Sequence, residues 1–526
     1  MQNLINFLSK EKNLVLLFSL LLIPAMFINL GVQPLTADEP TRAVVALEME
    51  YSGNYIVSTI NEVFYYKKPP LFNWLICAAF QISGSPSEFV LRLTAVLPML
   101  LFGWYLYKVF KRYTNPKIAF LSVAMFLTNA RVISYDSYLG HIDMLYSWIT
   151  FITFIVIYEG LKKEKYLMLF VVSYFLSALA FLLKGLPTFI FQGTTLIVCF
   201  WMMGRFKKLF SLWHLIGILA FVIPVAGFFY TYNQYNELWG WVDQLWDQSK
   251  QRTVLDKAWY ENFIHLFKFP VDHVGHLAPW SLLAVPLFYK SIRNKIAENE
   301  FVKMMGIIMV ANLPAYWLSP GYYPRYLLML YPIIFLILAF AWENKNELLK
   351  SYEKDLFKVF AGLGVLISFG PLVLLLIDLG IPINPIFSVL ITISLLFLSY
   401  LMFRKSQMTL YFLALFILVL RIEFNLVAFP HRASTGGVAE YKEFAEQIVE
   451  KSKGKKLYTI SGVNHAVSFY IERERGEILK RVDFPDTTSY YIIFSDEIFG
   501  DYQTIIDYHL SIENRPMKLV KYKQPF

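Results

Sequence analysis

Apolar runs of about 18–23 residues recur along almost the whole chain, and that is the length an α-helix needs to cross the ~30 Å hydrocarbon core of a bilayer. Inside a bilayer every backbone polar group must find its partner within the chain, so such runs fold as helices. The expected spans are roughly 14–31, 88–107, 117–134, 139–159, 165–183, 186–203, 211–231, 276–289, 303–319, 325–343, 356–378, 384–403 and 408–428, which makes about 13. Residues 70–83 are apolar too, but at about fourteen residues the run is too short to span and reads as interfacial or re-entrant. The composition agrees: 57% of the chain is hydrophobic, against ~45–50% in soluble domains. The fold class is therefore mainly α, a polytopic membrane protein.

Charge then orients the bundle. With the N-terminus inside, the inner loops are Lys108–Lys117, Leu161–Lys165, Gly204–Lys208, Lys290–Lys303, Glu343–Lys358 and Arg404–Lys405. Each carries two or more Lys or Arg. The short outer loops Ile133–Tyr138, Lys184–Leu186, Pro320–Arg325 and Leu379–Asn384 carry one cation or none. That is the positive-inside pattern, and counting 70–83 as a span would invert it. The net charge of +9 is thus an orientation signal and implies no nucleic-acid partner. Lys10 and Lys12 precede the apolar run Leu14–Leu30, which reads as a retained first helix. The two cysteines, Cys77 and Cys199, lie in apolar sequence and offer no disulfide framework.

Three regions are then external: residues 32–87, the loop Tyr232–Gly275 and the tail from Pro430. The expected division is 1–429, a membrane domain, and 430–526, a small external α/β domain. In the tail, Ala439–Lys453 suits an amphipathic helix, and Lys456–Ser461, Ile478–Val482, Tyr490–Phe494 and Met517–Lys521 suit strands. No internal repeat of 20–50 residues stands out.

The chemistry-bearing residues gather at the expected outer face. Asp38 and Glu39 follow the first span, with Arg42 on a short helix expected over Pro40–Tyr51. Either acid fits a helix cap. A carboxylate beside a low-dielectric bilayer and near a cation also suits a general base. Lys67 and Lys68 precede two prolines. They either snorkel or hold a phosphate as point charges. Asp143 sits at the outer start of a span, where a carboxylate is expensive and seldom idle. Lys184 is the cation of another outer turn. Arg325 suits a phosphate bidentately, with Tyr323 beside it. His265, His273 and His276 are candidate ligands for a divalent metal ion, or ordinary surface histidines.

These motifs resemble a known family. D-E-P-T-R at 38–42, S-G-N-Y at 52–55 and F-Y-Y-K-K-P-P-L-F-N-W at 64–74 are similar to the start of the GT-C class membrane glycosyltransferases. The aminoarabinose lipid A transferase and protein O-mannosyltransferase group is the nearest. L-G-H-I-D-M-L at 139–145, L-L-K-G-L-P at 182–187, L-A-P-W-S-L at 277–282 and P-R-Y-L-L-M-L-Y-P at 324–332 extend the likeness over residues 10–345. The resemblance implies an inverting transferase at the outer face of a bacterial inner membrane, with the C-terminal domain periplasmic. The donor would be a polyprenyl-phosphate sugar and the acceptor an envelope lipid, glycan or protein. Asp38 would activate the acceptor and Asp143 support the site. Glu39, Arg42, Tyr66, Lys67, Lys68, Lys184, Tyr323 and Arg325 would contact the substrates. Lys67 stands where the lipid A branch carries an acid, and a cation there disfavours a divalent ion. A transporter or flippase of a lipid-linked glycan is the rival reading. Transporters usually show repeats and mid-membrane polar groups, whereas these charges sit at one edge.

Overall fold

The computed structural model describes residues 7–524 except 9, 251–258, 498–499 and 509–515. Seven of the described helices are long and apolar enough to cross a membrane: Glu88–Tyr113, Asp143–Lys162, Tyr166–Lys184, Leu212–Tyr232, Lys350–Leu374, Pro385–Arg404 and Thr409–Thr435. Shorter apolar helices are Leu71–Ser83, Pro116–Thr128, Pro187–Met202 and Tyr331–Glu343. The sequence-based number of 13 counted each apolar run as one helix, and some runs are broken. The run over 117–134 ends as a helix at Thr128, because the Asn129 side chain bonds the Phe126 carbonyl at 2.6 Å and caps the last turn. A π-helical turn, Val132–Asp136, follows. The run over 276–289 is a nine-residue 3-10 helix, Trp280–Phe288, with Pro286 inside it. Leu71–Ser83 has 13 residues, about 20 Å at ~1.5 Å per residue, short of the hydrocarbon core.

The bundle has two chemically distinct ends. Helix Asp143–Lys162 begins at Asp143 and ends among ion pairs: Lys162–Glu300 at 2.6 Å, Lys163–Glu159 at 2.7 Å and Arg112–Glu159 at 2.5 Å. Twenty residues separate these ends by ~30 Å. Lys117 joins Glu343 at 2.9 Å, so the cation-rich loops meet one another at a single end.

The opposite end carries what the sequence expects outside. Helix Glu39–Ser52 has Pro40 in its first turn and stops at Gly53, whose φ of 70° is the left-handed conformation a side chain would resist. A hairpin follows, strands β1 Thr59–Ile60 and β2 Val63–Phe64. The loop Tyr232–Gly275 holds two amphipathic helices, Trp239–Lys250 and Trp259–His276. Helix Thr409–Thr435 runs unbroken through the expected domain boundary at 429/430, so the tail proper starts with helix Gly437–Lys451.

The tail folds into strands β3 Leu457–Thr459, β4 Lys480–Arg481, β5 Tyr490–Phe494, β6 Tyr502–Tyr508 and β7 Met517–Tyr522, in the order β4-β3-β5-β7-β6. β3 is parallel to both neighbours; β5–β7 and β6–β7 are antiparallel. A helix the sequence reading did not foresee, His465–Arg475, packs against Glu39–Ser52. The Tyr470 hydroxyl receives the Leu35 N–H at 2.8 Å, and Asn61 Nδ2 donates to Ser468 at 3.2 Å and to the Leu479 carbonyl at 2.8 Å.

Candidate active site

Asp38 holds the N-cap position of helix Glu39–Ser52 without capping it. Its carboxylate is therefore free to point elsewhere, and its side chain is 60% exposed. It accepts from Arg325 Nη2 at 2.5 Å. Arg325 lies on a 3-10 turn, Pro324–Leu327, just before helix Tyr331–Glu343. Its Nε lies 3.3 Å from Asp143, so one guanidinium bridges the exposed and the buried carboxylate. Asp143 opens its helix and accepts Lys184 Nζ at 2.5 Å; Lys184 closes the neighbouring helix. Two adjacent helices thus bring a carboxylate at an N-terminus against an ammonium at a C-terminus, the arrangement the helix dipoles favour.

Asp38, Arg42, Lys68, His141, Asp143, Lys184, Arg325 and Tyr326 all line one pocket. Tyr326 lies face-on to Lys184, 3.9 Å from Nζ, and Tyr323 packs on Arg325 at 4.8 Å. Arg42 donates to the Tyr65 hydroxyl at 2.6 Å, while its Nη1 finds no partner. Both ring nitrogens of buried His141 are likewise unpartnered. Buried polar groups are normally bonded; open valences pointing into one charged pocket are what a bound polar group would complete. The cavity is tight, about 30 Å³.

The structure separates other expected site residues from this pocket. Glu39 lies apart from the pocket's lining. It is fully buried, paired with Arg92 at 2.9 Å through both oxygens, and it also accepts from the Gly140 and Thr36 N–H groups at 2.8 and 3.0 Å. Its two oxygens are engaged by these four bonds. Arg92, which the sequence reading missed, adds bonds to the Leu30, Gln33 and Pro34 carbonyls and locks the approach to Asp38. Tyr66 also lies outside that lining: its hydroxyl accepts from Asn236 at 2.9 Å and its ring packs edge-on to Trp241. Lys67 parts from Lys68 and lines a different cleft, between the hairpin and the tail.

The three candidate histidines lie near one another among aromatic rings. His265 and His273 stack among Phe269 and Tyr322 and bond the Tyr316 and Phe269 carbonyls. His276 meets His273 edge-on, with ring centroids 5.5 Å apart. Among the described residues no group of three or more His, Cys, Asp or Glu is placed to hold an ion.

Known proteins supply the comparison. Residues 67–229 match the dolichyl-phosphate-mannose-protein mannosyltransferase family. The undecaprenyl phosphate-alpha-4-amino-4-deoxy-L-arabinose arabinosyl transferase 1 of Proteus mirabilis is 28% identical over 258 residues, 48% of this chain and 46% of that one. The corresponding transferase of Shewanella sediminis is 31% identical over 139 residues, 26% of this chain and 25% of its own. The chain therefore spans about half the length, or less, of these relatives. In fold, ArnT from Cupriavidus metallidurans bound to undecaprenyl phosphate superposes with a TM-score of 0.69 at 17% identity, covering 97% of this chain and 98% of that one. Its apo structure gives 0.68. The chain is thus similar to the mannosyltransferase family over residues 67–229 and to the arabinosyl transferases over about half its length, and it shares the fold of ArnT over nearly its whole length.

Proposed function

We propose that this protein is an inverting glycosyltransferase that moves a sugar from a polyprenyl-phosphate donor to an acceptor hydroxyl in the cell envelope. The observation that carries the reading is the pocket itself: a half-open carboxylate, Asp38, facing four cations, Arg42, Lys68, Lys184 and Arg325. Such a set suits a reaction in which an anion departs and a proton is removed. The donor phosphate takes Arg325 from Asp38, and the guanidinium grips it bidentately. Asp38 then accepts the acceptor's hydroxyl proton. The acceptor oxygen bonds the anomeric carbon on the face opposite the phosphate, and the old carbon–oxygen bond breaks towards the cations. Fixed positive charge where negative charge develops is the largest contribution such a site can make. Asp143 keeps Lys184 and Arg325 aimed throughout. The names of the relatives support a polyprenyl-phosphate pentose as donor. A flippase finds less support, because the polar groups sit at helix ends at one edge of the bundle.

The test is sugar transfer by the purified chain in nanodiscs with a labelled undecaprenyl-phosphate sugar. Asp38→Asn is expected to lower transfer by about 10²–10⁴-fold, the range of a lost general base, and to retain binding of undecaprenyl phosphate. Transfer within a few-fold of the wild type would remove Asp38 from the mechanism. Mass spectrometry of the envelope, with and without the protein, names the sugar and the acceptor.

A further inference from the structure

The tail sheet holds a second site. β3 leads through Gly462 and the capping residue Asn464 into helix His465–Arg475 and on to β4 on one flank; β5 then returns on the other flank. Both neighbours are parallel to β3. The strand order therefore reverses at β3, and in α/β sheets ligands bind outside the carboxyl ends of the strands at such a point. A cleft of 480 Å³ opens there, lined by Ser461 and Gly462 after β3, Arg481 from β4, Phe494 from β5, and Lys67 with Phe64 from across the juxtamembrane segment. Its described lining residues include Lys67, Arg481 and His465 and no Asp or Glu. Burial, and after it the charges of Lys67 and Arg42, hold His465 below its ordinary range.

The cleft adjoins the reacting centre. Tyr65 lines it and takes the Arg42 Nη2 bond at 2.6 Å, and Arg42 lines the Asp38 pocket. Thr41 Oγ1 lies 2.7 Å from His465 Nδ1. One helical turn separates the two sites.

The geometry points to this cleft as the seat of the acceptor: a sugar headgroup bearing a phosphate or carboxylate, its anion on Lys67 and Arg481 and its reacting hydroxyl directed past Tyr65 towards Asp38. The assignment of acceptor rests on the transferase reading; the anion site itself does not. It gives the lysine pair two tasks, Lys68 to the donor side and Lys67 to the acceptor side.

Binding of glucose 1-phosphate, glucuronate and glucose to the full chain in phosphatidylcholine nanodiscs tests it, read by saturation-transfer NMR. One or both anionic sugars are expected to bind, and which of them binds tells phosphate from carboxylate recognition; glucose is expected not to bind. Lys67→Ala and Arg481→Ala should each weaken binding at least fivefold, with Lys67→Arg restoring it. Both side chains are exposed, so the fold tolerates the changes. Saturating undecaprenyl phosphate should not displace the sugar, and Asp38→Asn should bind it normally. Displacement by undecaprenyl phosphate, indifference to both Lys67→Ala and Arg481→Ala, or no anionic-sugar binding would each overturn the proposal. Anionic-sugar binding as described in a chain that transfers no sugar would sink the transferase reading and the acceptor role, leaving an anion site.

Discussion

Two adjacent acids show how far chemistry is decided by what surrounds a side chain. Asp38 and Glu39 differ by one methylene, yet one is 60% exposed on Arg325 and the other is fully buried on Arg92. Asp38→Ala should abolish transfer with little change in thermal unfolding. Glu39→Ala leaves Arg92 buried without its partner, which costs about 3–5 kcal/mol; a lowered unfolding midpoint in detergent checks this, along with residual activity in the folded fraction. Lys184 presents the same physics inside the site. Lys184→Ala leaves buried Asp143 with Arg325 alone, and the double variant Lys184→Met with Asp143→Asn should recover most of the lost midpoint while transfer stays low. A midpoint no better than the single variant would mean the pair is not what packing there depends on. Sequence made Asp38, Asp143, Lys184 and Arg325 legible because a charge at the edge of an apolar run has few reasons to exist. It could not separate Asp38 from Glu39, since their difference lies in Arg92, some fifty positions away and hidden in an ordinary-looking span.

At the scale of elements, the tail is held to the membrane domain by helix His465–Arg475 lying on Glu39–Ser52, and two carboxyls meet in that seam. Glu48 and Glu472 are both fully buried, and each carboxyl bears on the other's titration. Glu48 also accepts from the Thr59 hydroxyl at 2.6 Å and from the Asn61 N–H. Arg473, next in the chain, is turned to Glu88 and Glu474 and neutralises neither. Burial raises both acids, Glu472 well above its ordinary 4.5, with Glu48 adding to the rise. A raised acid favours the folded state most below the unfolded pKa, and that advantage is lost as pH climbs through the folded one. Docking of the tail should therefore loosen as pH rises above the ordinary glutamate range, read by limited proteolysis after Thr435. Glu472→Gln, which keeps a hydrogen-bond donor and removes the charge, should flatten that pH profile; an unchanged profile would exclude the pair as its source. This seam was not legible in the sequence. Helix Gly437–Lys451 and strand β5 could be read from periodicity, but His465–Arg475 has a mixed-charge pattern, and the reason it is a helix is its packing on Glu39–Ser52.

Across the whole molecule, charge sorting and chemistry agree on a polarity. The cation-rich loops pair with one another at one end through Lys117–Glu343 and Lys162–Glu300. The pocket, the cleft and the tail share the other. Long apolar runs made the bundle legible, while the breaks at Asn129 and Pro286 were not, because local capping and ring geometry interrupt a helix without lowering its hydropathy. A donor embedded in the bilayer would then enter the Asp38 pocket from the side, and a water-borne headgroup would reach the Lys67 cleft from above. This works only if the tail faces outwards. Positive-inside sorting predicts that it does. Cys77 and Cys199 are buried and should stay silent to a membrane-impermeant maleimide, so single introduced cysteines can report the sidedness. Asp501→Cys, exposed on the tail, should label in intact spheroplasts, whereas Lys208→Cys, exposed at the cation-rich end, should label only after permeabilisation. The reverse pattern would put the pocket on the cytoplasmic side, where Asp38 and Lys67 would meet neither an envelope acceptor nor a donor presented from outside.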